Sequence, residues 1–221
     1  MKVLAIDTAT ERCSVALRLD GHLYERSIDT ARGHADIVLS LVDEVLKEGS
    51  VQLTGLDCIA YGRGPGSFTG VRIAIGVVQG LAFGANLPTV GVSNLAAVAQ
   101  QVARPGDRIL VCMDARMNEV YWGIFVCDPV TGLVSVVSDE RVDGPHVVVV
   151  DPPPAVLAGT GFAAYPQLVQ SFPNVTVHAG VLPSAVQIAL LGEALLRAGE
   201  AVPAREAQPV YLRDNVAVAK K

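Results

Sequence analysis

Lysine is almost missing from this chain. Of 17 basic residues only Lys2, Lys47, Lys220 and Lys221 are lysines, and no basic run interleaves with aromatics. Against 22 acidic residues the formal charge is −5. A surface of that balance does not draw in a phosphate backbone, so dominant, unaided nucleic-acid binding is disfavoured. Cysteine and histidine are equally scarce. Cys13, Cys58, Cys112 and Cys127 sit singly in apolar segments with no C-x-x-C spacing, which reads as reduced core residues. His22, His34, His146 and His178 lie far apart with no H-x-x-x-H pair, so the sequence implies no metal site and no metal-dependent peptidase. A G-x-S-x-G elbow is also lacking, which leaves a serine hydrolase unsupported.

Long apolar runs are absent as well. The longest candidate, around residues 70–85, is interrupted by glycines, Arg72 and Gln79, short of the roughly 20 residues that span a bilayer. Met1 to Val3 leads straight into a strand-like segment with no charged leader, so a cytoplasmic protein without a membrane anchor is expected. What the chain does have is apolar content. It is 51% hydrophobic and 18% charged over 221 residues, enough for one or two packed domains.

The order of elements is legible in the first half. Lys2 to Asp7 is a short apolar strand ending in a carboxylate, Cys13 to Leu19 a second, and His22 to Ile28 a third. Asp20-Gly21 between the last two is a two-residue hairpin signal. Ile37, Val38, Leu41, Val42, Val45 and Leu46 recur at helical spacing, and Gly49 supplies a stop, which predicts a first helix over about Ala35–Glu48. A strand at Asp57–Tyr61, a second helix to about Ala85, a strand at Leu87–Val92 and a third helix capped by Ser93 follow.

After Pro105-Gly106 the opening pattern repeats, with strands at Arg108–Met113, Glu119–Cys127 and Leu133–Val137, and Asp114 closing the first. That repetition predicts an α/β protein of two lobes, 1–103 and 104–221, from a duplicated βββαβα unit. Further on, His146–Val150 reads as an edge strand or a loop. Val156–Gly161 reads as a strand and turn, and Ala163–Phe172 as a helix despite Pro166. Ser184-x-x-Gln187 is a capping box for a last helix to about Ala198, and a tail docks by Val210–Leu212 and then frays.

Two features could carry function. The turn Gly62 to Arg72 (GRGPGSFTGVR) ends a strand and opens a helix, a geometry that can bind anions. It contains no lysine, so it is no Walker loop, and its glycine spacing misses the dinucleotide pattern; a plain strand-to-helix corner explains it equally well. The second feature is the helix that follows. Gly76, Gly80 and Gly84 recur every four residues along one face, each costing about 1 kcal/mol relative to alanine. Ile73, Val77 and Leu81 flank them, while Ile75, Val78 and Phe83 make the other side apolar, so the helix asks to be covered all round. A helix of another chain could supply that cover; so could the first or third helix of the same lobe.

Five segments in order carry a resemblance: IDTATERCSVAL at Ile6–Leu17, GRGPGSFTGVRIAIG at Gly62–Gly76, DARMNEVYWG at Asp114–Gly123, GTGFAAYP at Gly159–Pro166 and PVYLRDNVA at Pro209–Ala217. They resemble the TsaB (YeaZ) family of bacterial threonylcarbamoyladenosine biosynthesis. The resemblance implies a two-lobed fold of the actin-like and Hsp70-like ATPase class, akin to ribonuclease H. It also implies a subunit without catalytic residues of its own, which pairs with the catalytic relative TsaD and the small ATPase TsaE. Their complex transfers a threonylcarbamoyl group to the adenosine beside the anticodon in tRNAs reading codons that start with A. TsaD carries metal-binding histidines soon after the strand matching Leu87–Val92, whereas this chain reads VSNLAAVAQ there.

The family pairs through its first two helices. That assigns partner binding to Ile37, Leu41, Val45, Ile73, Gly76, Val77, Gly80, Leu81 and Gly84. The same surface can homodimerise when the chain is alone. Asp7, Thr8 and Asp114 fall where the fold class places a nucleotide cleft, here a vestigial one. No cofactor is implied, and tRNA is reached only through the complex. One departure is HADIVLSLV where the family has a Leu-Leu-Pro-like run after the histidine, which alters only the entry to the first helix. The competing reading is an active nucleotide-dependent kinase of the same fold; Gly159-x-Gly161 is the sole candidate for the adenosine-binding glycine pair it would need.

Overall fold

The computed structural model describes residues 1–213. It opens with an antiparallel meander of β1 (Lys2–Asp7), β2 (Arg12–Leu19) and β3 (His22–Asp29). Lys2 stands opposite Leu19 and Asp7 opposite Ser14, while Leu19 faces His22 across the next pair. The Asp20-Gly21 turn has both residues at positive φ (47° and 93°), the twist that suits the flanking strands. Next come α1 (His34–Glu48), β4 (Cys58–Gly62), α2 (Phe68–Ala85), β5 (Pro88–Val92) and α3 (Asn94–Val102). The Ser67 and Ser93 hydroxyls accept the Gly70 and Ala96 N–H groups and so cap α2 and α3.

A second meander follows: β6 (Arg108–Asp114), β7 (Val120–Cys127) and β8 (Val134–Val136), with β9 (Arg141–Asp143) also on β7. β10 (Val156–Gly159), α4 (Gly161–Ala164), α5 (Gln167–Gln170), β11 (Thr176–Ala179), α6 (Ala185–Arg197) and β12 (Val202–Pro203) complete the chain. One sheet runs β12-β5-β4-β1-β2-β3 and the other β11-β10-β6-β7-β8. Without β12 the two orders are the same, with β1 matching β6, so Asp7 and Asp114 close equivalent strands. This is the duplicated α/β architecture of the actin-like class.

The second copy departs from the expected unit where proline intervenes. Pro145, Pro152, Pro153 and Pro154 occupy the place of a helix between the meander and β10, and only a 3₁₀ turn, Pro145–Val147, forms. His146–Val150 is therefore no strand: it leaves the 3₁₀ turn as loop from Val148 and buries Val148 and Val150. The single helix expected over Ala163–Phe172 is split into α4 and α5 at Tyr165-Pro166. Proline drives the preceding residue out of the helical region, and Tyr165 lies at φ −130°, ψ 74°. The capping box at Ser184 is half made: its hydroxyl accepts the Val186 N–H, whereas Gln187 Oε1 is buried with no partner among the described residues. Short or exposed β9, β11 and β12 left no periodic signal to read. The docked part of the tail is present at Val210; its expected fraying lies outside the described residues.

Packing crosses the expected boundary. α1 and α2 cover the outer face of the first sheet, burying Val38, Leu41, Val42, Val45, Val71, Ala74, Ile75 and Val78 against Leu4, Ile6, Val15 and Ile59. The inner face of that sheet is covered by α6, with Ile188 and Ala189 against Val3, Ala5 and Ala60. α3 in turn lies on the second sheet, Leu95 and Val98 against Ile109, Val111 and Phe125. The halves thus exchange their last helices, and β12 adds to β5. Neither 1–103 nor 104–221 is a self-contained packing unit, because each sheet needs a helix from the other half to bury its inner face.

Candidate functional site: an open helix face and the cleft beside it

α2 is the most apolar helix in the chain, yet only a third of it is buried. Its inward face, Gly70, Val71, Ala74, Ile75, Val78 and Ala82, meets the first sheet. Ile73, Val77 and Leu81 are half-buried at the edges of that contact. Gly76, Gly80 and Gly84 face outward, and a methyl group added at any of them would meet nothing within 4 Å. Neither α1 nor α3 covers them. Phe83, expected on the opposite side, is 83% exposed and joins this glycine face, because it sits three residues after Gly80 and seven after Gly76.

α1 contributes less than its assignment. Leu41 and Val45 are 4% and 0% exposed in the core, since the Val38, Leu41, Val42, Val45 stripe is the one that packs on β2. They are unavailable to a partner. Ile37 stays half-buried, and Leu39, which lies off the helical-spacing stripe, is 52% exposed.

The glycine-rich turn proves to be a packing joint. A Cβ on Gly62 would lie 2.1 Å from Asp7 Oδ1, one on Gly66 2.6 Å from the Ala9 carbonyl oxygen, and one on Gly70 2.0 Å from that of Thr8. The β1–β2 loop therefore lies directly on this turn, and only glycine leaves room. Its N–H groups are largely committed too: Arg63 to Val92 O, Gly64 to Asn94 Oδ1, Ser67 to Ala9 O. Thr8 is fully buried and its hydroxyl donates to Gly70 O at 2.6 Å. Gly159 and Gly161 play the same part in the second copy, where added Cβ atoms would lie 2.3 and 2.9 Å from Cys112 O. Neither glycine pair is shaped as a phosphate cradle.

Asp7 is fully buried behind this joint. Asn94 Nδ2 donates to its Oδ1 at 2.7 Å, and its Oδ2 has no partner among the described residues. Burial pushes its pKa up to about 6, against the opposing pull of the Asn94 hydrogen bond. Asp114, its equivalent, is mostly buried but open to the cleft. Its Oδ1 accepts from the Arg116 N–H and, at 3.3 Å, from the Tyr165 hydroxyl. The three vestigial-cleft candidates thus separate: Asp114 lines the cleft, whereas Asp7 and Thr8 are sealed beneath the Ala9–Glu11 turn.

The cleft between the strand ends of the two sheets measures about 1460 Å³. Residues 204–213 form a strap that runs along α2 and lines the cleft at Val210–Arg213. Gln79 Nε2 donates to Ala207 O, Val210 N–H to Arg63 O, and Arg213 reaches the second meander at Ala115 O and Glu119. On the rim, the Arg72 guanidinium stacks 3.3 Å above the Phe68 ring, which stands 5.9 Å from the Tyr211 ring. Sequence reading missed this group, although Phe68 and Arg72 are four apart on one helix and so had to be neighbours.

Comparison with known proteins decides the family. The TsaB biosynthesis protein of Escherichia coli is 42% identical over 98% of this chain and 96% of its own length. That of Haemophilus influenzae is 36% identical over 98% and 95%. The chain belongs to the TsaB family. The solved structure of YeaZ from Pseudomonas aeruginosa, 42% identical, superimposes with a TM-score of 0.86 over 96% of this chain and 99% of that one. The family model for TsaD, tRNA N6-adenosine threonylcarbamoyltransferase, matches residues 28–221. Membership ties this chain to tRNA threonylcarbamoyladenosine biosynthesis.

One further Pseudomonas aeruginosa structure, 42% identical with a TM-score of 0.87, is described as similar to the peptidase YEAZ. Among the described residues, no three His, Cys, Asp or Glu side chains come together as metal ligands. All four cysteines are buried, and burial pushes the Cys13, Cys58 and Cys112 thiols above their usual range.

Proposed function

We propose that this chain is the non-catalytic subunit of a cytoplasmic complex that forms N6-threonylcarbamoyladenosine beside the anticodon. Its partners are a TsaD-like catalytic subunit and a TsaE-like ATPase, and tRNA is engaged within that complex. The observation that carries the reading is the outer face of α2. Three interior glycines, each costly in a helix, stand in open space beside Phe83 and the half-buried Ile73, Val77 and Leu81. A monomer gains nothing from them. A facing helix gains close backbone approach and covers the apolar surface. The likeness of this chain to the TsaD family model supports a partner of the same fold, whose own helices could face α2.

The kinase alternative finds less support. It requires backbone groups free to cradle phosphates, and the glycines at 62–70 and 159–161 are occupied by the strand-end loops. Size-exclusion chromatography with light scattering tests the pairing. The chain mixed with its TsaD-like relative is expected to elute as a stoichiometric heterodimer, formed at the expense of any homodimer. Separate elution at tens of micromolar would end the proposal.

A further inference from the structure

The rim of the cleft holds a second arrangement that the helix face does not use. Arg32, Arg72, Arg116 and Arg213 all line it, opposed by Glu11 and Asp114. Arg213 is paired with Glu119 and Arg116 with Asp114, but Arg32 and Arg72 have no carboxylate partner among the described residues. In a chain of net charge −5 this is a local concentration of cations that the overall balance conceals. Beside it stand two partly exposed aromatic rings, Phe68 at 55% and Tyr211 at 47% exposure, one face of Phe68 being covered by Arg72.

The turn that presents Arg116 is held against its backbone preference. Arg116, Met117 and Asn118 occupy the left-handed region in succession, at φ 60°, 56° and 59°. Each non-glycine residue there is disfavoured, and three in a row persist only where surrounding contacts fix them. Arg213 supplies such a contact by donating to Ala115 O, and the Asp114 carboxylate holds Arg116 at 3.1 Å. The Arg116 side chain remains 86% exposed at the cleft wall.

We infer that this cleft is a subsite for a single-stranded stretch of RNA, its phosphates on Arg32, Arg72 and Arg116 and a base on the Phe68–Tyr211 platform. Spaced guanidiniums with adjacent aromatic faces are the pattern that holds unpaired nucleotides without reading their sequence. At about 1460 Å³ the cleft exceeds what one nucleotide fills, which favours an extended strand. The inference rests on the proposed role in tRNA modification, and the subsite adds to the complex's hold on RNA rather than replacing it.

The test is fluorescence anisotropy of a labelled 12-nucleotide unstructured RNA with the full chain at low salt. Binding is expected to saturate and to weaken with salt at a log–log slope of about −2, for three phosphate contacts. Phe68→Ala and Arg72→Ala should each weaken it roughly tenfold with unchanged melting, since both residues are exposed. Arg197→Ala, on α6, should have no effect. The inference is overturned by absence of saturable binding, by equal losses in Arg197→Ala, or by displacement of the RNA by AMP or polyglutamate at equal concentration. RNA binding with intact modification in this chain's absence would instead retain the subsite and discard the proposed function.

Discussion

Gly80→Leu is expected to break association with the catalytic partner while leaving the chain itself as stable as before, or slightly more so. The two effects have opposite signs for separate reasons. In the free chain a Cβ at Gly80 meets nothing within 4 Å, so a leucine there projects into solvent. Replacing an interior helical glycine also removes a conformational cost of about 0.5–1 kcal/mol, so melting should rise by about 2 °C in a domain of this size. Where a second helix packs on the same spot, the leucine is overpacked at a cost of about 1–3 kcal/mol, which raises Kd roughly 5- to 150-fold. Calorimetry of binding and of melting on one preparation checks both. A variant that melts lower and binds normally would place the glycine face inside the monomer's own economy and remove it from the interface.

Asp7→Asn is expected to stabilise the chain at neutral and alkaline pH. Burial raises the folded-state pKa of Asp7 from 3.8 to about 6. A carboxyl so shifted favours the folded state fully only below its unfolded value. That stability is lost as pH rises through about 6, because the native site must then hold an unpaired buried charge. At about 1.4 kcal/mol per unit, the difference is worth roughly 2–3 kcal/mol at pH 8. Asparagine keeps an oxygen for the Asn94 amide and carries no charge. Urea unfolding should therefore show the variant more stable at pH 8, and the gain should shrink toward zero near pH 4. Equal stability of the two proteins at pH 8 would mean that Asp7 is not ionised against a penalty. Asp7→Asn should also leave modification by the assembled complex largely intact, since the residue is sealed from the cleft.

Much of this was readable from residues alone, and the failures have physical causes. Helices and long strands declared themselves because apolar spacing repeats over ten or more residues, as in Ile37–Leu46. The duplicated meander was visible because Asp7 and Asp114 each end an apolar strand before a short polar turn. What escaped was tertiary. No local pattern in α3 or α6 states which sheet each will cover, and both cross to the other half. The glycines at 62, 66 and 70 looked like an anion loop or a corner, and only the position of the Thr8 and Ala9 carbonyls decides between them. Leu41 and Val45 were assigned outward by analogy, although their own spacing with Val38 and Val42 put them on the buried stripe. The Phe68–Arg72–Tyr211 group joins α2 to a residue 143 positions beyond Phe68, and the strap's conformation brings them together. Phe83 was recoverable in advance, since i+3 and i+7 from the glycines mark their face.

The most direct measurement is a reconstitution from purified parts: this chain, its TsaD-like and TsaE-like partners, threonylcarbamoyl-adenylate and unmodified tRNA, with one protein omitted at a time. Modified adenosine is quantified after digestion of the tRNA. The full mixture is expected to turn over. The mixture lacking only this chain should fall to background, and this chain alone with adenylate and tRNA should also give no product. With the proteins held near the wild-type Kd, Gly80→Leu in the full mixture should lower turnover severalfold or more, whereas Asp7→Asn should not. Product from the isolated chain, or full turnover in its absence, would contradict a role as an obligatory subunit without chemistry of its own.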